Sequence, residues 1–74
     1  MKAKDLEILS VLYEDKSGVM AGETIAARAG LDTKKYHSGY EAYLIKIGFL
    51  SITGRGRSLT EKAMDYLKKN DTLA

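Results

Sequence analysis

The sequence has no cysteine and a single histidine, His37, among its 74 residues. That excludes a disulfide framework, a thiolate nucleophile and zinc-finger ligand spacing, and one imidazole cannot build a metal site. Uninterrupted apolar runs reach only a few residues, far short of what crosses a bilayer, and Met1-Lys2-Ala3-Lys4 leads into an amphipathic helix rather than a signal peptide. Internal repeats, low-complexity tracts and linkers are lacking too. So is the phosphate-cradling pattern G-x-x-x-x-G-K-[ST], and without it no ATPase can be read from this chain. A chain this short makes one domain, residues 1–74, with a small core and little room for an enclosed active site. The expectation is a non-enzymatic domain without cofactor, metal or membrane segment, monomeric in isolation and placed in the cytoplasm.

Charge is present but nearly balanced. A formal net charge of +2 is too small to argue for nucleic acid by itself. Its placement says more: residues 1–50 carry seven basic and seven acidic side chains, whereas 51–74 carry five and three. Between Glu41 and Glu61 there is no acid at all, yet Lys46, Arg55 and Arg57 lie there.

That acid-free stretch also has the most structured pattern. An apolar helix end is stopped at Gly48, where a left-handed residue is needed and Phe49 folds back on the last turn. Phe49–Thr53 is rich in β-formers, Gly54-Arg55-Gly56 is a flexible tip with permissive backbone on both sides of one arginine, and Arg57-Ser58-Leu59 returns as a partner strand. A hairpin this small must pack on helices. Upstream, Ala3 to about Glu14 reads as a core helix with Leu6, Leu9, Leu12 and Tyr13 on one stripe. Val19-Met20 is a bridge of strand able to pair with the hairpin. Gly22–Ala29 is a short helix closed by Gly30, and Asp32 or Thr33 caps a third helix. On that helix Tyr36, Tyr40, Tyr43, Leu44 and Ile47 share the core face, with their phenol hydroxyls at its rim. Lys34, Lys35, His37, Ser38 and Glu41 face outward. Gly39 in its middle implies either a close neighbour or a bend, at a cost of about 1 kcal/mol relative to alanine. Thr60 caps a last helix with Ala63, Met64 and Leu67 buried, and residues 70–74 are expected to fray. The fold class is α+β, mainly α, in the order α-β-α-α-β-β-α: a winged helix. Its expected core is Leu6, Leu9, Leu12, Ile25, Leu44, Ile47, Phe49, Met64 and Leu67.

The run Glu41-Ala42-Tyr43-Leu44-Ile45-Lys46-Ile47-Gly48-Phe49-Leu50, followed by Thr53-Gly54-Arg55-Gly56-Arg57, resembles the C-terminal winged-helix domain of the RuvB family of Holliday-junction branch-migration motors. The chain departs from that family's pattern at Ala42 and Gly54, where proline is common, and at Gly39. The resemblance implies a domain that grips duplex or junction DNA, mainly by its backbone, and an ATPase module as partner, in the same chain or in another.

Arg55, held between two glycines at a hairpin tip, is the first candidate for a phosphate contact. Arg57 on the return strand is either a second contact or the partner of an acid within the domain. Lys34 and Lys35 occupy the first turn of the helix that a helix-turn-helix reading makes the recognition helix, where DNA is usually met, although a lysine pair is more often a solvated face. Lys46 supplies charge nearby. His37 has no suitably spaced carboxylate in this reading and is expected to face solvent or DNA. Two other functions stay open: a protein-docking winged helix presenting Val11, Ile45 and Tyr66, and a small dimeric transcription regulator.

Overall fold

A computed structural model describes residues 1–69, so the expected fraying of 70–74 lies outside the described residues. Helix α1 (Ala3–Tyr13) is opened by the Lys2 backbone N–H, which donates to the Asp5 carboxylate at 3.0 Å. Its buried face is Asp5, Ile8, Leu9 and Leu12, the i, i+3, i+4, i+7 stripe of an amphipathic helix. The expected stripe was rotated from this one: Leu6 is only partly covered, and Ile8 is fully buried instead. Both phases contain Leu9 and Leu12, so the apolar pattern of α1 does not separate them.

Strand β1 (Val19–Met20) leads into α2 (Gly22–Arg28), which ends where Leu31 N–H reaches back to Ala26 C=O at 2.8 Å. Lys4 Nζ donates to the Ala29 carbonyl at 3.0 Å, so α1 satisfies the free end of α2. Asp32 then caps α3, accepting from Lys35 N–H at 3.1 Å. Helix α3 covers residues 33–46 without a break but not with one geometry. An α-helical turn, Thr33–Lys35, passes into a π-helical stretch, Tyr36–Glu41, and returns to α-helix at Ala42–Lys46.

The wider π turn changes which side chains face inward. With bonds from i to i+5, Tyr36 and Glu41 fall on the same side, and these are the two buried residues of the stretch. Glu41, expected on the outer face, is therefore a core-side residue. Tyr36 has no solvent exposure and its hydroxyl is buried rather than at the rim, whereas Tyr43 is exposed rather than part of the core. Gly39 has open space where a side chain would stand, so no close neighbour explains it, and its departure from α-geometry is the π stretch itself.

Helix α3 stops at Gly48, whose φ of +80° is costly for any residue with a side chain. Phe49 N–H bonds back to Leu44 C=O at 2.9 Å, and Lys62 Nζ covers the Ile47 carbonyl at 2.9 Å. The chain then enters the hairpin of β2 (Leu50–Thr53) and β3 (Gly56–Leu59), paired Leu50 to Leu59 and Thr53 to Gly56. Strand β1 pairs on the other side of β3, giving a three-stranded antiparallel sheet in the order β1-β3-β2. Helix α4 (Glu61–Lys69) is capped by Thr60, whose hydroxyl accepts from Ala63 N–H at 3.2 Å and donates to Gly48 C=O at 2.6 Å. That one residue ties the start of α4 to the end of α3.

The core lies among the four helices and one face of the sheet. Tyr36, Ile8, Leu9, Leu12, Ile25 and Leu44 are its fully buried large side chains, and burial of each aliphatic one contributes about 1.5–3 kcal/mol. Of the expected core, Leu9, Leu12, Ile25, Leu44, Phe49 and Leu67 are buried, Ile47 packs against the cluster half-buried, and Met64 is half-buried. The element order is the expected winged helix. No helix among the described residues is long and apolar enough to cross a membrane.

Candidate nucleic-acid interface

The hairpin turns in two residues, Gly54 and Arg55. Thr53 fixes this turn: its hydroxyl accepts from Arg55 N–H and donates to Gly56 C=O, both at 3.2 Å. The tip is thus a hydrogen-bonded turn. Gly56 stands at φ +140°, and a Cβ there would come within 2.8 Å of the Met20 carbonyl oxygen, so only glycine lets β1 lie this close to β3. Arg55 is left exposed at the far end, with no ion pair among the described residues.

Arg57 is placed otherwise. It stands opposite Met20 of β1 and Ile52 of β2, and its guanidinium reaches α3. Nε donates to Glu41 Oε1 at 2.6 Å and Nη2 to Oε2 at 3.2 Å, a two-point pair that is the stronger kind of carboxylate contact. His37 Nδ1 lies 2.9 Å from Glu41 Oε2 as well. Glu41 therefore holds the wing strand and the helix together. Its side chain is 7 % exposed, against 22 % for Arg57 and 36 % for His37. Burial pushes the Glu41 carboxyl up, but hydrogen bonds from Arg57 and His37, with the Arg57 charge, outweigh it and hold the group below the usual glutamate range. Tyr36 is the reverse case, since burial and the Glu41 charge push its phenol far up and keep it neutral.

The remaining predicted residues do not join this cluster. Lys34 and Lys35 are exposed in the first turn of α3 and Lys46 is exposed in its last, separated along the helix by roughly 17 Å at the usual rise per residue. None has an ion pair among the described residues. The apolar residues that would serve docking are mostly committed: Val11 and Tyr66 pack against the core, leaving Ile45 exposed. Among the described residues no group of three or more side chains is arranged to hold a metal ion.

Sequence reasoning missed Glu41 and Gly22. His37 does have a suitably spaced carboxylate, because Glu41 follows it by four residues on one helix. Glu41 is also the sole acid between Asp32 and Glu61, hence the obvious partner for a nearby arginine. Gly22 shows no sequence signal of its role. A Cβ on it would stand 2.6 Å from His37 Cε1 and 3.3 Å from Arg57 Cζ, so imidazole and guanidinium share the space above a bare backbone at the start of α2.

Over residues 1–68 the sequence matches the family model described as the RuvB C-terminal winged helix domain. The chain belongs to the RuvB C-terminal winged helix family. Curated relatives include the Holliday junction branch migration complex subunit RuvB of Trichormus variabilis, 45 % identical over 64 residues, covering 85 % of this chain and 18 % of that protein. The Anaplasma phagocytophilum RuvB subunit is 46 % identical over 63 residues, covering 85 % and 19 %. Among solved structures, the Thermotoga maritima RuvB Holliday junction branch migration motor aligns with a TM-score of 0.85 at 36 % identity, over 92 % of this chain and 23 % of that one. The chain thus spans about a fifth of the length of the RuvB proteins it matches, and the match is to their winged helix domain.

Proposed function

We propose that this RuvB-type winged helix grips the duplex arms of branched DNA, through phosphates rather than base edges, as one part of a branch-migration machine. The observation that carries this reading is Arg55: an exposed cation at the end of a hydrogen-bonded turn, without an ion pair among the described residues. Lys34, Lys35 and Lys46 are the other contacts we assign, each exposed and without an ion pair among the described residues. Arg57 contributes with only part of its guanidinium, the rest being bound to Glu41. In this reading the domain is a cytoplasmic monomer, and an ATPase module supplies the work.

If three or four of these cations meet phosphates, log K falls with log salt at a slope of about −3, and isolated duplex binds weakly, with Kd on the order of 10⁻⁴–10⁻⁶ M. Arg55→Ala weakens every sequence by a similar factor and lowers the slope by about one, the mark of a lost phosphate contact. The measurement is a salt titration of labelled duplex with both proteins. Equal binding by the two, or none at low salt, would leave the wing as a structural hairpin.

A further inference from the structure

In the cluster of His37, Glu41 and Arg57 a single carboxylate holds both an imidazole and a guanidinium. Glu41 accepts three hydrogen bonds, from Arg57 Nε and Nη2 and from His37 Nδ1. A carboxylate only accepts, so Nδ1 carries the proton and neutral His37 has its lone pair on Nε2. Tyr36 lies edge-on to the imidazole at 5.1 Å between ring centres, which fixes the ring plane. Two polar atoms of the cluster are then unused: His37 Nε2 and Arg57 Nη1 have no partner among the described residues. Neither is buried, since the Tyr36 hydroxyl is the sole buried side-chain polar atom without a partner among them. Both belong to side chains that lean over Gly22, at the junction of wing and recognition helix.

We propose that His37 Nε2 and Arg57 Nη1 form a subsite for a nucleic-acid phosphate, and that filling it draws a proton onto His37. This rests on the DNA-binding reading above and adds a residue and a linkage to it. With His37 neutral the cluster sums to zero, Glu41 against Arg57, and Nε2 presents a lone pair that repels a phosphate oxygen. Protonation turns Nε2 into a donor and the cluster to +1, and one phosphate brings it back to zero. The titratable and charged groups around the imidazole are Glu41 and Tyr36 on its own helix, Arg57 from β3, and Glu23 of α2, whose field reaches Arg57. Glu41 is the positioning residue, since it holds both donors without using the atoms that meet the ligand.

The sequence makes the test clean. His37 is the only histidine and there is no cysteine, so between about pH 6 and pH 8 the α-amino group is the one other group that ordinarily titrates. Kd for labelled duplex is measured at both pH values and one ionic strength for the parent, His37→Gln and Arg55→Ala. The parent binds about three- to sixfold more tightly at the lower pH, as expected when phosphate favours the protonated imidazole. His37→Gln loses that ratio, while Arg55→Ala binds more weakly at both pH values and keeps it. A parent without the ratio, or a His37→Gln protein that retains it, overturns the subsite and leaves the DNA reading standing. Failure of the parent to bind at either pH overturns both. A second measurement needs no variant: the one imidazole Cε1–H NMR signal of the parent, held near neutral pH, moves toward its protonated position as duplex is added. A signal that stays in place also overturns the proposal.

Discussion

Arg55 and Arg57 stand two residues apart in one hairpin and are put to opposite uses. Arg55 sits on the turn, held by its backbone through Thr53, and its side chain meets no acid among the described residues. Arg57 sits on β3, opposite Met20 and Ile52, and is bound at two points by a nearly buried Glu41. The difference is one of place rather than residue type. Arg55 lies in the turn beyond the last strand pair, Thr53 with Gly56, whereas Arg57 is paired within β3 and its guanidinium reaches α3. The wing thus has a fixed base and a free end, and the comparison can be broken at either.

The largest effect is expected at Gly56, next to both arginines. Its φ of +140° and the 2.8 Å that would separate an added Cβ from the Met20 carbonyl oxygen combine backbone strain with a clash against backbone that cannot swing aside. Gly56→Ala should cost about 3 kcal/mol, measured by denaturant unfolding. A loss below about 0.5 kcal/mol, the usual range of a neutral surface change, would show that β1 and the wing base are not held together here.

The next is at Glu41. Glu41→Ala leaves Arg57 partly buried and unpaired, and should cost about 2 kcal/mol, less than for a fully buried pair because Arg57 still reaches water. The pH dependence follows from the direction of the Glu41 shift. Its carboxyl titrates lower in the folded protein than in the unfolded chain, so its stabilisation is complete above the ordinary glutamate range and is lost as pH falls through about 4 toward the folded value. In Glu41→Gln the same acid limb should be shallower in a series of thermal melts. An unchanged limb would mean that the clamp contributes nothing to acid sensitivity.

These two sites also mark what was legible in the sequence and what was not. Turn chemistry at Gly48, the cap at Thr60 and the Thr53–Arg57 hairpin depend on neighbours in the chain, and each could be read from residue type. Arg55 could be placed at a tip for the same reason. The phase of α3 could not. It depends on a π stretch beginning at Tyr36, and a 3.6-residue period carried through it turned Glu41 outward and Tyr43 inward. That phase hides the clamp in the sequence, because an outward-facing Glu41 is out of reach of Arg57. Gly22 was hidden for another reason: its role is a contact among α2, α3 and β3, three elements distant in sequence.

The smallest effect concerns the free end and separates charge from shape. Arg55→Lys keeps a cation at the tip but replaces the forked guanidinium with a point charge on a flexible stem. If Arg55 acts on phosphate as a charge, the salt slope is unchanged, since one counterion is still released, and duplex affinity falls by no more than about threefold. Folding stability should stay within about 0.5 kcal/mol of the parent, as expected for an exposed side chain whose own backbone makes the turn bonds. Arg57→Lys gives the contrast: a lysine cannot reproduce the two-point pair with Glu41, so stability falls by about 1 kcal/mol or more. Salt titration and unfolding of the two variants side by side are the measurement. Should Arg55→Lys abolish binding, the tip would be reading a base edge or a fixed phosphate geometry through its fork. Should both variants leave stability alike, the base of the wing would be as free as its end.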